Sequence, residues 1–224
     1  MYRLWLAGVG VLLSASTPLP RPVVVELFTA QGCAACPPAQ AVVNALADRP
    51  DVIALSFSVT YWDALGWRDR FGQAAFTDRQ RRYAIVGRRP LATPQVLVNG
   101  RIAITGRDAG ETVRAIRNAE PADPGPTIAR SGAALVVGAD RRTARPATVW
   151  LVEYDPRTLL VPIGAGENHG RTLPHRNVVR ALTAIGRWNG DTARIALPPA
   201  SRWRRVVLVQ ASDGGSIIAA ARLS

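Results

Sequence analysis

The sequence predicts an α/β domain in its first half and a small all-β domain in its second, and three observations carry that reading. Strand-like and helix-like runs alternate from about residue 21 to 120. A proline-dense stretch, Pro121 to Pro126, then breaks the chain. Beyond it come short apolar runs separated by turn residues, with little helical periodicity.

Val23 to Phe28 opens the α/β half as a β-rich run with few polar interruptions, the pattern of a strand buried on both faces of a sheet. Thr29 to Gly32 is a short polar loop, followed by Cys33, Cys36 and the pair Pro37-Pro38. Proline suits the first turn of a helix, where its missing N–H would have no partner, so a helix is expected from there to about Ala47. Val52 to Val59 is the second strand, ending in the aromatic segment Thr60 to Trp67, and a helix follows from about Gln73 to Ile85. After Thr93-Pro94, the runs Gln95 to Val98 and Arg101 to Thr105 flank Asn99-Gly100, whose residues supply the positive φ angles of a tight hairpin turn. The last helix is expected from Asp108, a plausible N-cap, to Ala119. The order is β-α-β-α-β-β-α.

Pro-Ala-Asp-Pro-Gly-Pro, residues 121–126, reads as a linker, because prolines at that density continue neither a helix nor a central strand. In residues 127–224, Leu135 to Val137, Ala147 to Tyr154, Asn177 to Leu182, Arg194 to Leu197, Arg205 to Gln210 and Ser216 to Ala221 are strand candidates. Together they predict a β-sandwich-like domain of about 100 residues.

Composition limits the functional classes. Of 224 residues 48% are hydrophobic and 20% charged, which supports a packed core and argues against a disordered or polytopic membrane protein. The formal charge is +12, and every one of the 28 basic residues is arginine. Those arginines are scattered rather than interleaved with aromatics, so no nucleic-acid partner is expected. The densest groups, Arg79, Arg81 and Arg82 and then Arg88 and Arg89, read as a solvated face.

Residues 1–16 have the layout of an export signal: Arg3, an apolar stretch from Leu4 to Leu13, then Ser14, Ala15 and Ser16. The apolar stretch is shorter than the roughly 20 residues that span a bilayer, so after cleavage no stable membrane span is expected and the protein is placed in the periplasm or outside the cell. That compartment permits disulfides. With only Cys33 and Cys36 in the chain, a disulfide-rich scaffold and a four-thiolate zinc site are both excluded. A bridge between residues so close in sequence removes little chain entropy, so chemistry explains the pair better than stapling does.

The chemistry suggested is thiol–disulfide exchange. The start of a helix lowers a thiol pKa through its free N–H groups and partial positive charge, and Cys33 stands there on a loop expected to expose it. Cys36, in the first turn, is placed to resolve a mixed disulfide formed by Cys33. Topology brings further residues to the same sheet edge. Two parallel strands joined by a helix end on one side, which places Cys33 beside the segment holding Trp62, Asp63 and Trp67, and Thr93-Pro94 begins an antiparallel strand there. Thr93 and Pro94 are expected to pair with the backbone of an incoming extended chain, and Trp62 to line an apolar substrate groove. The expected partner is a cysteine-containing extracytoplasmic protein, and no cofactor is required. A different class stays open, in which the same thiols form a non-catalytic binding or Cu(I)-chaperone module. No resident metal site is expected, since His169 and His175 lie far along the chain. Pro37 also excludes c-type haem attachment, which needs His at that position.

Four segments together resemble a family of exported bacterial proteins of unknown function with a thioredoxin-like amino-terminal domain. They are Val23 to Pro38, Tyr61 to Trp67, Thr93 to Gly100, and Gly166-Glu-Asn-His-Gly-Arg171. The resemblance covers nearly the whole mature chain. It implies an α/β thioredoxin-like fold for residues 21–120, a cis peptide bond before Pro94 and redox roles for Cys33 and Cys36. Departures from thioredoxins are clear: Gly32 replaces the Trp before the first cysteine, and Ala34-Ala35 replaces Gly-Pro between the two. Glu26 lies one residue out of register with the buried acid of thioredoxins. The Gly166–Arg171 segment is expected to serve as a turn and a contact between domains.

Overall fold

The computed structural model describes residues 21–119, 125–140 and 146–223, so the export segment and most of the proline linker lie outside the described residues. Strand β1 (Val23–Thr29) is buried at every position. Val23, Val25 and Leu27 pack on one side with Ala39 and Val43 of helix α1 (Cys36–Ala45) and Ala115 and Ile116 of helix α3 (Ala109–Asn118). Val24 and Phe28 pack on the other with Phe76 and Tyr83 of helix α2 (Ala74–Gly87). Helices on both faces are what so largely apolar a run requires.

Strand β2 (Val52–Ser58) runs parallel to β1, and β3 (Gln95–Val98) pairs antiparallel on the other side of β1, with β4 (Ile102–Ile104) beyond it. The β3–β4 turn is made by Asn99 and Gly100, both at positive φ (46° and 64°). Asp108 caps α3 by accepting from Glu111 N at 2.8 Å. The order β-α-β-α-β-β-α is therefore found as read from the sequence.

The second half departs from its expected form. Its strands are β5 (Ile128–Ser131), β6 (Ala134–Val137), β7 (Ala147–Asp155), β8 (Leu159–Pro162), β9 (Thr172–His175), β10 (Val178–Trp188), β11 (Ala193–Ala196), β12 (Arg204–Ala211) and β13 (Ile217–Leu223). Instead of closing a separate sandwich, four of them extend the first sheet into one of eight strands, ordered β13-β12-β7-β10-β2-β1-β3-β4. The seam is β10 against β2 in parallel, at Val178 and Ser56. Asn177, at φ 48°, turns the chain into it, accepting from Ser56 N through its carbonyl (3.0 Å) and donating Nδ2 to Ala54 O (2.9 Å).

A sandwich-like layer does exist, but one of its sheets is this shared one. Ile128, Leu135 and Val137 from the three-stranded sheet β11-β6-β5 pack on Val149, Leu151, Val207 and Val209. The opposite residues of β7 and β12, Val152, Tyr154, Val206 and Leu208, join the apolar cluster of α2. The pair β8–β9 forms a separate hairpin whose intervening loop reaches back to the cysteines. Among the described residues no helix is long and apolar enough to cross a membrane.

One arginine of the expected solvated face lies inside. Arg79 is buried and donates Nε to Glu26 Oε1 (2.7 Å), Nη1 to Gln210 Oε1 (3.0 Å) and Nη2 to Tyr83 Oη (3.0 Å). Its neighbours Arg81 and Arg82 are exposed as expected. Burial opposes the charge on Arg79, yet Glu26 and Tyr83 hold the guanidinium above its ordinary pKa. A buried charge needs such partners, and here they come from β1, α2 and β12, which ties the two halves together.

Candidate functional site

Cys33 and Cys36 lie at the carboxyl end of β1, where the chain turns into α1. Cys33 N donates to Ala30 O (3.2 Å) and Cys36 N to Cys33 O (3.1 Å), a tight turn that brings the two Cα atoms to 5.4 Å and the sulfurs to disulfide contact. Pro37 and Pro38 occupy the first turn of α1, as the sequence implies. Thr93-Pro94 stands beside the pair. Its peptide bond is cis, and Thr93 O lies 3.8 Å from Cys33 Sγ. Pro94 is buried and Thr93 half-buried.

Trp62 and Tyr61 are half-buried and pack against the apolar cluster that contains both cysteines. The structure thus brings Cys33, Cys36, Thr93, Pro94 and Trp62 to one end of the sheet. Trp67 stands against the loop that leads into Cys33: its Nε1 donates to Gln31 Oε1 (2.9 Å), and its ring lies against Gly164. Glu26 is committed to Arg79 and Tyr83, and accepts from Tyr83 Oη at 2.5 Å.

The loop before Cys33 is held by an acid the sequence reading missed. Asp69, buried, accepts Gln31 N on Oδ2 (3.0 Å) and Phe71 N on Oδ1 (2.8 Å). Burial raises its pKa, and these two amides partly offset that. Asp63 in turn accepts Asp69 N at 3.1 Å, so the polar residue of the aromatic segment serves the loop through Asp69.

The expectation that the loop exposes Cys33 is overturned: Cys33 is 1% exposed and Cys36 2%. What stands open instead is Ala34 and Ala35. The loop between β8 and β9 lies over the cysteine turn. Asn168, fully buried, donates Nδ2 to Gln31 O (2.9 Å) and to Cys33 O (2.8 Å), and its Oδ1 accepts from Arg171 Nη1 (2.8 Å). Glu167 Oε2 accepts Ala34 N at 2.8 Å. Gly166, at φ 76°, lies so close that a Cβ there would stand 3.5 Å from Gly32 Cα and 3.4 Å from Trp67 Cβ. The left-handed φ calls for glycine, while a Cβ there would make only ordinary contacts. The segment read as a turn is therefore also the cover of the site.

Neither histidine approaches the cysteines in any hydrogen bond or ring contact. His169 is exposed on the covering loop, and His175 is buried edge-on against Phe71, 5.7 Å between ring centres. Among the described residues no group of three or more His, Cys, Asp or Glu side chains is arranged to hold a metal ion.

The fold has relatives of known structure. A crystal structure of a protein from Agrobacterium tumefaciens is 27% identical, with a TM-score of 0.74 over 91% of this chain and 94% of that one. The protein HBP35 of Porphyromonas gingivalis is 16% identical, with a TM-score of 0.53 over 92% of this chain and 76% of that one, a likeness of fold alone. No curated protein matches the chain. Residues 24–210, which include the cysteine turn, Thr93-Pro94 and the covering loop, match the model of DUF1223, proteins of unknown function, and the chain belongs to that family.

Proposed function

We propose that the protein is an extracytoplasmic thiol–disulfide oxidoreductase acting on protein cysteines through Cys33 and Cys36, and that residues 21–120 form a thioredoxin-like unit. One observation carries this: a cysteine pair at disulfide contact begins a helix at the carboxyl end of a parallel strand, with Thr93-Pro94 beside it. The parallel β1–β2 pair, the antiparallel β3 and the placing of α1 and α2 on opposite faces support the fold reading. The export-like residues 1–16 support the location.

In the exchange, a Cys33 thiolate attacks one sulfur of a substrate disulfide. The substrate S–S bond breaks, a Cys33–substrate disulfide forms, and one substrate thiolate leaves. Cys36 then attacks Cys33 Sγ, closing the Cys33–Cys36 bond and releasing the second substrate thiolate. Two electrons pass from the pair to the substrate, and the reverse sequence oxidises a substrate dithiol. Thr93, with its carbonyl beside the sulfur, docks the substrate backbone, and Trp62 offers apolar surface to it. Cys33 must first be uncovered, so each turnover requires the Gly166–Asn168 cover to lift.

The test is disulfide turnover of a small protein substrate by wild type and Cys33→Ser. Turnover by wild type that Cys33→Ser abolishes supports the reading. A wild-type pair that resists dithiothreitol in the folded protein and turns over nothing overturns it in favour of a structural disulfide, and stoichiometric retention of Cu(I) without turnover overturns it in favour of a copper carrier.

A further inference from the structure

The start of α1 offers Cys33 few donors. A thiolate before a helix is stabilised by the peptide N–H groups of the first turn. Here Pro37 and Pro38 have none. Cys36 N is given to Cys33 O at 3.1 Å, and Ala34 N to Glu167 Oε2 at 2.8 Å. Only the Ala35 N–H is left. The group that takes the Ala34 amide is moreover a carboxylate, next in sequence to Asn168, which holds the carbonyl of Cys33 itself. Burial and a nearby negative charge both disfavour a thiolate.

Building on the exchange reading, we propose that Glu167 is a positioning residue that biases the reaction toward reduction: it disfavours the Cys33 thiolate, and so makes the pair a stronger electron donor to substrate disulfides. Stabilising the thiolate stabilises the reduced form and makes a cysteine pair an oxidant; withholding that stabilisation favours the disulfide and makes the dithiol a reductant. The balance is that of reduction. The Cys33–Cys36 bond forms, the substrate disulfide breaks, the two electrons and two protons of the dithiol end on the substrate thiols, and a protein dithiol of the same compartment returns the pair to the reduced state.

Other charged groups around the turn are accounted for. Asp69 serves Gln31 N, Arg171 is bonded to Asn168 Oδ1, and His169 is exposed on the same loop as Glu167. Glu167 alone places a carboxylate on an amide of the Cys33–Cys36 turn among the described residues.

Glu167→Gln separates charge from cover, because the amide oxygen still accepts Ala34 N. In reduced protein, the pH midpoint of Cys33 alkylation by iodoacetamide is read by mass spectrometry, alongside the equilibrium with glutathione. Wild type is expected to titrate at or above the ordinary value near 8.5. Glu167→Gln is expected to titrate about half a pH unit lower and, with the glutathione equilibrium read at a pH above both midpoints, where the Cys33 thiolate is the populated form, to shift that equilibrium about threefold toward the dithiol, about 15 mV for two electrons. A wild-type midpoint well below 8.5, or a Glu167→Gln midpoint equal to that of wild type, overturns the proposal. The exchange reading fails separately, when wild type turns over no disulfide.

Discussion

Asn168 and Cys33 are 135 residues apart in sequence and joined at 2.8 Å, the Asn168 amide donating to the cysteine's own carbonyl. The same Nδ2 also serves Gln31 O, so one side chain of the second half holds both sides of the loop leading into the cysteine turn. Replacing Asn168 by alanine leaves these carbonyls without their donor. The expected loss is about 2 kcal/mol of unfolding free energy in urea. Faster reduction of Cys33–Cys36 by dithiothreitol in the folded protein is expected with it, because the cover is loosened. An unchanged reduction rate in a destabilised variant would show that Asn168 does not control access.

The Glu26–Arg79 pair makes a contrasting case. Both groups are fully interior, and Tyr83, whose own pKa burial raises well above the usual phenol value, donates to Glu26. Arg79→Met abandons a carboxylate in the core and is expected to cost about 3–5 kcal/mol. Combining it with Glu26→Leu removes the stranded charge, so the double variant is expected to be more stable than Arg79→Met alone. Urea unfolding of the two variants decides it, and a double variant as unstable as the sum of its parts would contradict the argument.

Acid stability has two windows of opposite chemistry. His175 is buried, and desolvation first, then the charge of Arg70, lowers its pKa from 6.5 to about 4. Between those values the unfolded chain binds more protons than the folded one, so stability falls as the pH drops from 6.5 to 4 and this contribution is flat below. The full loss is on the order of 3 kcal/mol. Asp155, held at about 2 chiefly by its hydrogen bond from Arg157, works lower: its stabilisation is present above 3.8 and is lost as the pH falls to about 2. In a pH series of urea unfolding, His175→Phe should flatten the first window and leave the second. A slope between pH 6.5 and 4 that survives the substitution would place its origin elsewhere.

Much of the first half was legible because its signals are local. The apolar run of β1, the prolines of α1, the Asn99-Gly100 turn and the Asp108 cap each act over a few residues. What escaped depends on distant partners. Arg79 carries the same symbol as exposed Arg81 and Arg82, and its burial is made tolerable by Tyr83 together with the distant Glu26 and Gln210. β8 and β9 contain Pro162 and Pro174 and are four residues each, too short for a period-two pattern to show. The alternating apolar residues of β7 and β12 suit a sandwich and a sheet extension equally, and nothing in their pattern identifies β2 as the neighbour of β10. Glu167 and Asn168 were visible in a glycine-rich turn, but their targets are backbone amides and carbonyls, which leave no trace in side-chain composition.

The seam between the halves rests on Asn177, and its two roles can be separated. Its left-handed φ of 48° is one that asparagine adopts more readily than most residues and glycine adopts freely. Its side chain also donates to Ala54 O in the interior. Asn177→Gly keeps the conformation and loses the bond, for an expected cost of about 1 kcal/mol. Asn177→Leu loses the bond and adds backbone strain of about 1–2 kcal/mol. If β10 is locked onto β2 by this turn, Asn177→Leu should be the less stable by that margin, and amide exchange at Ser56, whose N–H is given to Asn177 O at 3.0 Å, should rise most. Equal stability of the two variants would mean that the turn is not strained by a larger side chain, and that the parallel seam is held by the packing of Val178 and Val179 instead.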